Sequence, residues 1–355
     1  MSNLFSSLVV GDLTLPNRII MSPLTRSRAE NPGRVPNDLM REYYTQRATA
    51  GLILTEATIV SPMGAGYAHT PGIYSNEQVE GWRNITSSVH QAGGRIFLQL
   101  WHVGRISDPL FLNGKLPVAP SAIQPKGHVS LVRPEKPYVT PRALEIQEIP
   151  GIVEEFKKGA ENAKKAGFDG VEIHGANGYL LDQFLQDHSN HRTDRYGGSI
   201  ENRARLMLEV TDAVISIFGH NRVGMHLAPR RDAHDMGDSS PQETFGYVAK
   251  ELGKRKIAFI CARERLGDDR LGPYLKKEFG GVYIANEKFT KETAEKIIED
   301  GEADAVAFGQ LFIANPDLPA RFKNNASLNK PHLETFYSGG RTGYTNYLAN
   351  PELMA

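Results

Sequence analysis

Residues 149–174, IPGIVEEFKKGAENAKKAGFDGVEIH, hold a helix and a strand in a single pass. Ile149, Ile152, Val153, Phe156, Ala160 and Ala163 recur at the i, i+3, i+4, i+7 spacing of one helix face. Gly167 stands where such a helix stops. Residues 170–174 then form a short apolar run of the kind that reads as a buried strand. The same alternation extends in both directions. Short apolar runs fall at 18–21, 52–56, 95–100, 170–174, 222–227, 257–261, 281–285 and 304–308, with longer helical patterns between them. Further helices are predicted over 38–48 and 293–299, and Ser75–Gln78 and Ser240–Glu243 read as capping boxes. Eight strands each followed by a helix predict an α/β protein, a single (β/α)8 TIM barrel over residues 1–355. Leu8-Val9-Val10, a Gly11-Asp12 turn and Leu13-Thr14-Leu15 predict a β-hairpin ahead of it. The rival, an open doubly wound sheet, ordinarily carries a Gly-rich dinucleotide fingerprint, and no G-x-G-x-x-G occurs.

More than forty residues separate the third run from the helix near Glu148, and this stretch holds seven of the 21 prolines. A loop that long is usually functional, and one that follows a barrel strand belongs over the mouth. Residues 103–146 are therefore expected to cap the site.

Composition narrows the partners. Lys plus Arg and Asp plus Glu are both 41 among 355 residues, so no net field draws in nucleic acid or an anionic membrane. Cys261 is the only cysteine, which excludes an intramolecular disulfide and a cysteine-based metal cluster. No apolar stretch is long enough to span a bilayer, and residues 1–13 carry no basic leader. A cytoplasmic protein, a monomer or small homo-oligomer, acting on small molecules is the expectation.

In such a barrel the chemistry sits at the C-terminal strand ends. These read Ser22-Pro23-Leu24-Thr25, Glu56-Ala57, Gln99-Leu100-Trp101-His102, His174-Gly175-Ala176-Asn177, His226-Leu227-Ala228-Pro229, Asn286-Glu287-Lys288 and Gly309-Gln310. Amides, imidazoles and hydroxyls dominate. No carboxylate pair supports glycoside chemistry, no G-x-S-x-G a serine hydrolase, and no H-x-H or H-E-x-x-H a zinc site, so no metal is expected. What remains is a rim suited to gripping a planar heterocycle with polar edges.

His174-Gly175-Ala176-Asn177-Gly178-Tyr179-Leu180, followed by Asp182-Gln183-Phe184, resembles the central motif of the Old Yellow Enzyme family. The resemblance extends to Pro23–Arg26, Gln99–His102 with Gly104-Arg105, Arg192-Thr193-Asp194, Tyr196–Ser199, Glu201–Arg203, Phe312–Leu318 and Thr335-Phe336-Tyr337. It runs nearly end to end, in order, and is strongest toward the bacterial xenobiotic reductases.

That resemblance implies flavin mononucleotide (FMN) as cofactor, with NADPH or NADH as a transient hydride donor in a ping-pong cycle. Activated alkenes, nitrate esters and nitroaromatics are the implied acceptors. It assigns Thr25 to the flavin O4 edge, Gln99 to the pyrimidine edge, and the Pro23, Leu24 and Ala57 backbones to the ring. His174 and Asn177 become donors to a substrate carbonyl or nitro oxygen, where hydride transfer pushes negative charge. Tyr179 becomes the proton donor to the α-carbon, and Tyr67, Trp101 and Tyr337 wall the pocket. Plainer roles compete: Tyr179 as a packing residue, Tyr67 as a turn aromatic, Trp101 as a plug, Thr25 as a helix cap.

Two positions depart from the family pattern. The usual Arg of the fifth strand, at the flavin N1/O2 edge, is His226, and the usual Arg of the phosphate site is Gln310 beside Gly309. The strand-seven loop, Asn286-Glu287-Lys288, leaves two alternatives: Lys288 supplies the positive charge at the phosphate, or backbone N–H groups hold it alone. Glu287 is expected to face solvent. Two other functions stay open, a colourless barrel acting on a phosphorylated metabolite and a flavin-binding barrel without catalysis.

Overall fold

The structure, a computed structural model, describes residues 3–230 and 233–350, so the ends of the 1–355 span lie outside the described residues. Eight parallel strands close on themselves: Ile19–Met21, Leu52–Leu54, Ile96–Trp101, Gly170–His174, Val223–Leu227, Phe259–Arg263, Val282–Asn286 and Ala305–Phe308. Each pairs in parallel with the next, and the eighth returns to the first. The (β/α)8 barrel read from the alternating runs is the fold. Thr58–Ile59 adds a short extension beside the end of the third strand.

The hairpin forms as read, Leu8–Val10 against Leu13–Leu15. Val10 and Leu15 join Ile20, Leu52, Leu54, Phe97, Phe259, Cys261, Ile284, Ala305 and Ala307 in one buried cluster, so the hairpin plugs the bottom of the barrel. Gly11 is required at its turn. It has φ +60, and a Cβ there would lie 1.9 Å from the Asn221 carbonyl oxygen.

Helix Ile149–Lys165 buries Ile149, Ile152, Phe156, Ala160 and Ala163, the face its spacing predicts, and Gly167 turns the chain away at φ +85. Helix Asn76–Gln91 starts on the expected capping box, Ser75 with Gln78, worth about 1 kcal/mol. The second box does not form. Ser240 precedes helix Pro241–Lys254, but its side chain makes no cap bond. Asp238 takes over that corner, accepting from the Ser240 N–H at 2.9 Å and the Thr244 hydroxyl at 2.8 Å.

The 103–146 segment lies over the mouth. Val103, Ile106, Leu112, Val129 and Tyr138 form one apolar cluster with Ala57, Tyr67 and Trp101, against which Tyr179 packs. Opposite it, the C-terminal stretch is tied down by buried guanidinium groups. Arg26 donates to the carbonyls of Phe336 and Gly343, and Arg28 to those of Thr335, Phe336 and Ser338. No described helix is long and apolar enough to cross a membrane.

Candidate active site

Period-two alternation decides which side chains enter the barrel. On the fourth strand Glu172 and His174 share the inward face, and on the fifth His226 stands in register with His174. On the sixth, Cys261 pairs with His226, which places Arg263 one step nearer the mouth. Two layers result.

The lower layer centres on a carboxylate that the sequence reading passed over. Glu172 is fully buried and accepts from Gln99 Nε2 at 2.7 Å and from His226 Nδ1 at 3.2 Å. With Nδ1 engaged by the carboxylate, Nε2 of His226 is left for another partner. Gln99, with its amide nitrogen spent on Glu172, keeps its carbonyl oxygen to offer as an acceptor. Glu172, His226 and Cys261 bring ligand-capable atoms within 4.8 Å of one another. All three are already hydrogen-bonded, Cys261 through Asn286.

The upper layer is aromatic. Trp101 stacks on Tyr67 with centroids 5.5 Å apart, meets Tyr179 edge-on at 4.9 Å and lies 6.3 Å from His174. Tyr179 stands 5.0 Å from the His174 ring, and its hydroxyl is 2.9 Å from that of Tyr67. Burial pushes both phenols up, Tyr67 well above the usual tyrosine range. Burial, then the charges of His226, Arg263 and His234, drives His174 well down, so its imidazole is neutral at neutral pH. Tyr337, 44% exposed, sits at the rim close enough to act on the Tyr179 phenol.

The loop after the fourth strand carries Asn177 at φ +58 and Gly178 at φ +77. A Cβ on Gly178 would strike Met236 at 2.7 Å and the Ala233 carbonyl at 2.9 Å. The Gly178 N–H donates to Asp182 Oδ2 at 2.8 Å, while Gln186 Nε2 donates to Oδ1 at 2.8 Å. Burial raises the Asp182 carboxyl from 3.8 to about 7. A folded-state value above the unfolded one favours the protonated native state, so this contribution is complete below about pH 4 and lost as pH rises through 7. Asp182→Asn cannot ionise, and a rotated Gln186 satisfies its amide. Between pH 5 and 7.5, urea titrations should show it gaining on the wild type by up to about 3 kcal/mol. A gap that stays constant over that interval would disprove the linkage.

Across the barrel, Pro23, Leu24 and Thr25 are half-buried, Ala57 is buried, and Gly309 lies so close that a Cβ would sit 3.0 Å from Leu24. Asn286 donates to the Ser22 hydroxyl at 2.8 Å. Lys288, at φ +59, and Gln310, first residue of helix Gln310–Ala314, are exposed on neighbouring strand ends. Glu287 corrects the expectation of a solvent-facing acid. Its side chain is 10% exposed and lies 3.4 Å from Arg263 Nη2, because the guanidinium at the end of strand six draws it inward.

Two buried nitrogens at the mouth, Trp101 Nε1 and His174 Nδ1, have no partner. Unpaired buried polar atoms are costly and mark places where a bound molecule completes the set. Together with a free glutamine oxygen, a ring nitrogen and facing aromatic rings, they fit a flat, polar-edged group such as an isoalloxazine. Fold and site define a barrel whose mouth is suited to a planar, polar-edged cofactor.

The chain belongs to the NADH:flavin oxidoreductase / NADH oxidase family, which matches residues 3–329, and so to the Old Yellow Enzyme group that its motifs resemble. It is 44% identical over 352 residues to a probable flavin mononucleotide-dependent alkene reductase of Leishmania infantum, covering 96% of this chain and 95% of the relative. The old yellow enzyme homologue from Zymomonas mobilis superposes with a TM-score of 0.95 at 45% identity, over 98% of this chain and 99% of that one. Morphinone reductase in complex with tetrahydroNAD gives 0.94 at 47%, over 99% and 98%.

Proposed function

We propose that this protein is an FMN-dependent, NAD(P)H-consuming ene-reductase, a single cofactor-binding domain that also accepts nitrate esters and nitroaromatics. The observation that carries the reading is the grouping of His174, Asn177 and the Tyr67–Tyr179 hydroxyl pair around one mouth. The likeness to the alkene reductase and to the tetrahydroNAD complex supports the cofactor and donor classes.

When bound, FMN would supply the hydride chemistry between a nicotinamide donor and the acceptor, in two separate half-reactions. Thr25 and the Pro23, Leu24 and Ala57 backbones would hold its ring. The Gln99 oxygen would accept from the pyrimidine N–H, and His226 Nε2 would face the N1/O2 edge. Asn286, Lys288, Gly309 and Gln310 lie at the ends of strands seven and eight, where barrels bind phosphate. The exposed Lys288 is the cation offered there. His174 and Asn177 orient the acceptor by its oxygen, Tyr179 holds the proton, and Trp101, Tyr67 and Tyr337 wall the space.

The visible absorption spectrum tests this. A flavin band pair that bleaches with anaerobic NADPH and returns with 2-cyclohexenone is the expected result. A colourless protein, even after reconstitution with FMN, overturns it in favour of the phosphorylated-metabolite barrel.

A further inference from the structure

Asn177 is held at two atoms. Its backbone carbonyl accepts from His234 Nδ1 at 2.7 Å, and its side-chain Oδ1 accepts from Arg263 Nη1 at 3.1 Å. A primary amide can sit either way round, since its oxygen and nitrogen ends are nearly the same shape. A guanidinium has donors and no acceptor. Beside Arg263 only the orientation with Oδ1 inward is bonded, and the flipped one sets N–H against N–H. The Nδ2 hydrogens are thereby turned away from Arg263.

Arg263 is itself fixed. It is the last residue of the sixth strand, pairs in register with Asn286, and has its second nitrogen 3.4 Å from the largely buried Glu287 carboxylate. A cleft of about 570 Å³ opens on its other side, lined also by Met236, Arg230 and Pro229, so the guanidinium separates that cleft from Asn177. His226 stands where the family pattern has an arginine. Arg263, inward on the neighbouring strand, is one of the charges acting on both His174 and Tyr179.

We propose that Arg263 is the positioning residue of the acceptor site: it acts through Asn177, fixing that amide with its donors outward. This rests on the reading of Asn177 as a donor to the acceptor oxygen. A bonded cation on Oδ1 also polarises the amide, which strengthens the Nδ2 donors. The acceptors favoured are those whose oxygen gathers negative charge during reduction, enones and nitro compounds, over alkenes activated by a weaker acceptor.

The test uses the oxidised holoenzyme, which binds 2-cyclohexenone without turning it over, so the Kd is read from the flavin band apart from activity. Arg263→Met should raise that Kd and the KM about tenfold with flavin content unchanged. Arg263→Lys, which keeps a donor and a charge, should recover most of the loss. Added to Asn177→Ala, Arg263→Met should cost less than a further twofold, because its partner is already gone. Asn177→Asp keeps the Arg263 contact and removes the Nδ2 donors, so it should bind as poorly as Asn177→Ala. It needs no change at Arg263, which guards against a misfolded Met variant. Wild-type binding and reduction of 2-cyclohexenone establish the underlying reading in the same experiment. The proposal is overturned if Arg263→Met binds like the wild type, if its loss multiplies with that of Asn177→Ala, or if Asn177→Asp binds normally.

Discussion

Replacing His174 and Asn177 together by alanine should slow 2-cyclohexenone reduction about a thousandfold while FMN content stays at the wild-type level. The size follows from the kind of interaction lost. Negative charge develops on the substrate oxygen only as hydride arrives, so donors aimed there act on the barrier more than on ground-state binding. Removing one such donor typically costs about 10²–10³ in rate. In the proposed site the two serve one oxygen, so their losses should not multiply in full. His174 suits the task because burial and the neighbouring His226, Arg263 and His234 keep it neutral, and a neutral imidazole donates without the desolvation cost of a buried cation. The wild-type rate of this step should therefore show no break near the ordinary histidine pKa between pH 6 and 8. Stopped-flow mixing of reduced enzyme with 2-cyclohexenone isolates the step, and a double variant within tenfold of the wild type would remove both residues from the mechanism.

The barrel was legible because its signal is repetitive. Each of the eight apolar runs became a strand, most with ends within a residue or two, since buried parallel strands need continuous apolar sequence whatever surrounds them. The motif around His174 was legible because local chain order places it at a strand end. What was missed needed partners from other strands. The apolar run predicts the sixth strand at 257–261, but it extends over Phe259–Arg263, so Arg263 lies two residues beyond the strand end that the sequence marks. Its pairing with Glu287, read as solvent-facing, was lost with it. Glu172 left a usable trace: a charged residue two before His174 in an apolar run must share its inward face. That it would bridge Gln99 and His226 could not be read, because the bridge joins three separate strands. At Ser240 the local capping pattern was present, and a second local acceptor two residues upstream, the Asp238 carboxylate, took its place.

Tyr179→Phe should separate proton delivery from hydride delivery. The Tyr179 hydroxyl lies 2.9 Å from Tyr67, both phenols are pushed up by burial, and neither ionises at neutral pH. Each therefore carries a proton throughout the working range, and the carbon of an enolate is a strong enough base to take one. In the proposed relay Tyr67 would then restore the proton through the shared hydrogen bond. Loss of a positioned acid costs roughly 10²–10⁴, so reduction of 2-cyclohexenone should fall by at least a hundredfold. Reduction of the holoenzyme by NADPH, which puts no protein-derived proton on carbon, should change less than threefold. Tyr67→Phe should give a smaller loss in the same half-reaction, because it removes only the second member of the relay. The phenyl ring left by Tyr179→Phe would still pack edge-on against Trp101, so a collapsed pocket does not account for the difference. If Tyr179→Phe reduces the enone at near wild-type rate, water supplies the proton and Tyr179 is there to pack.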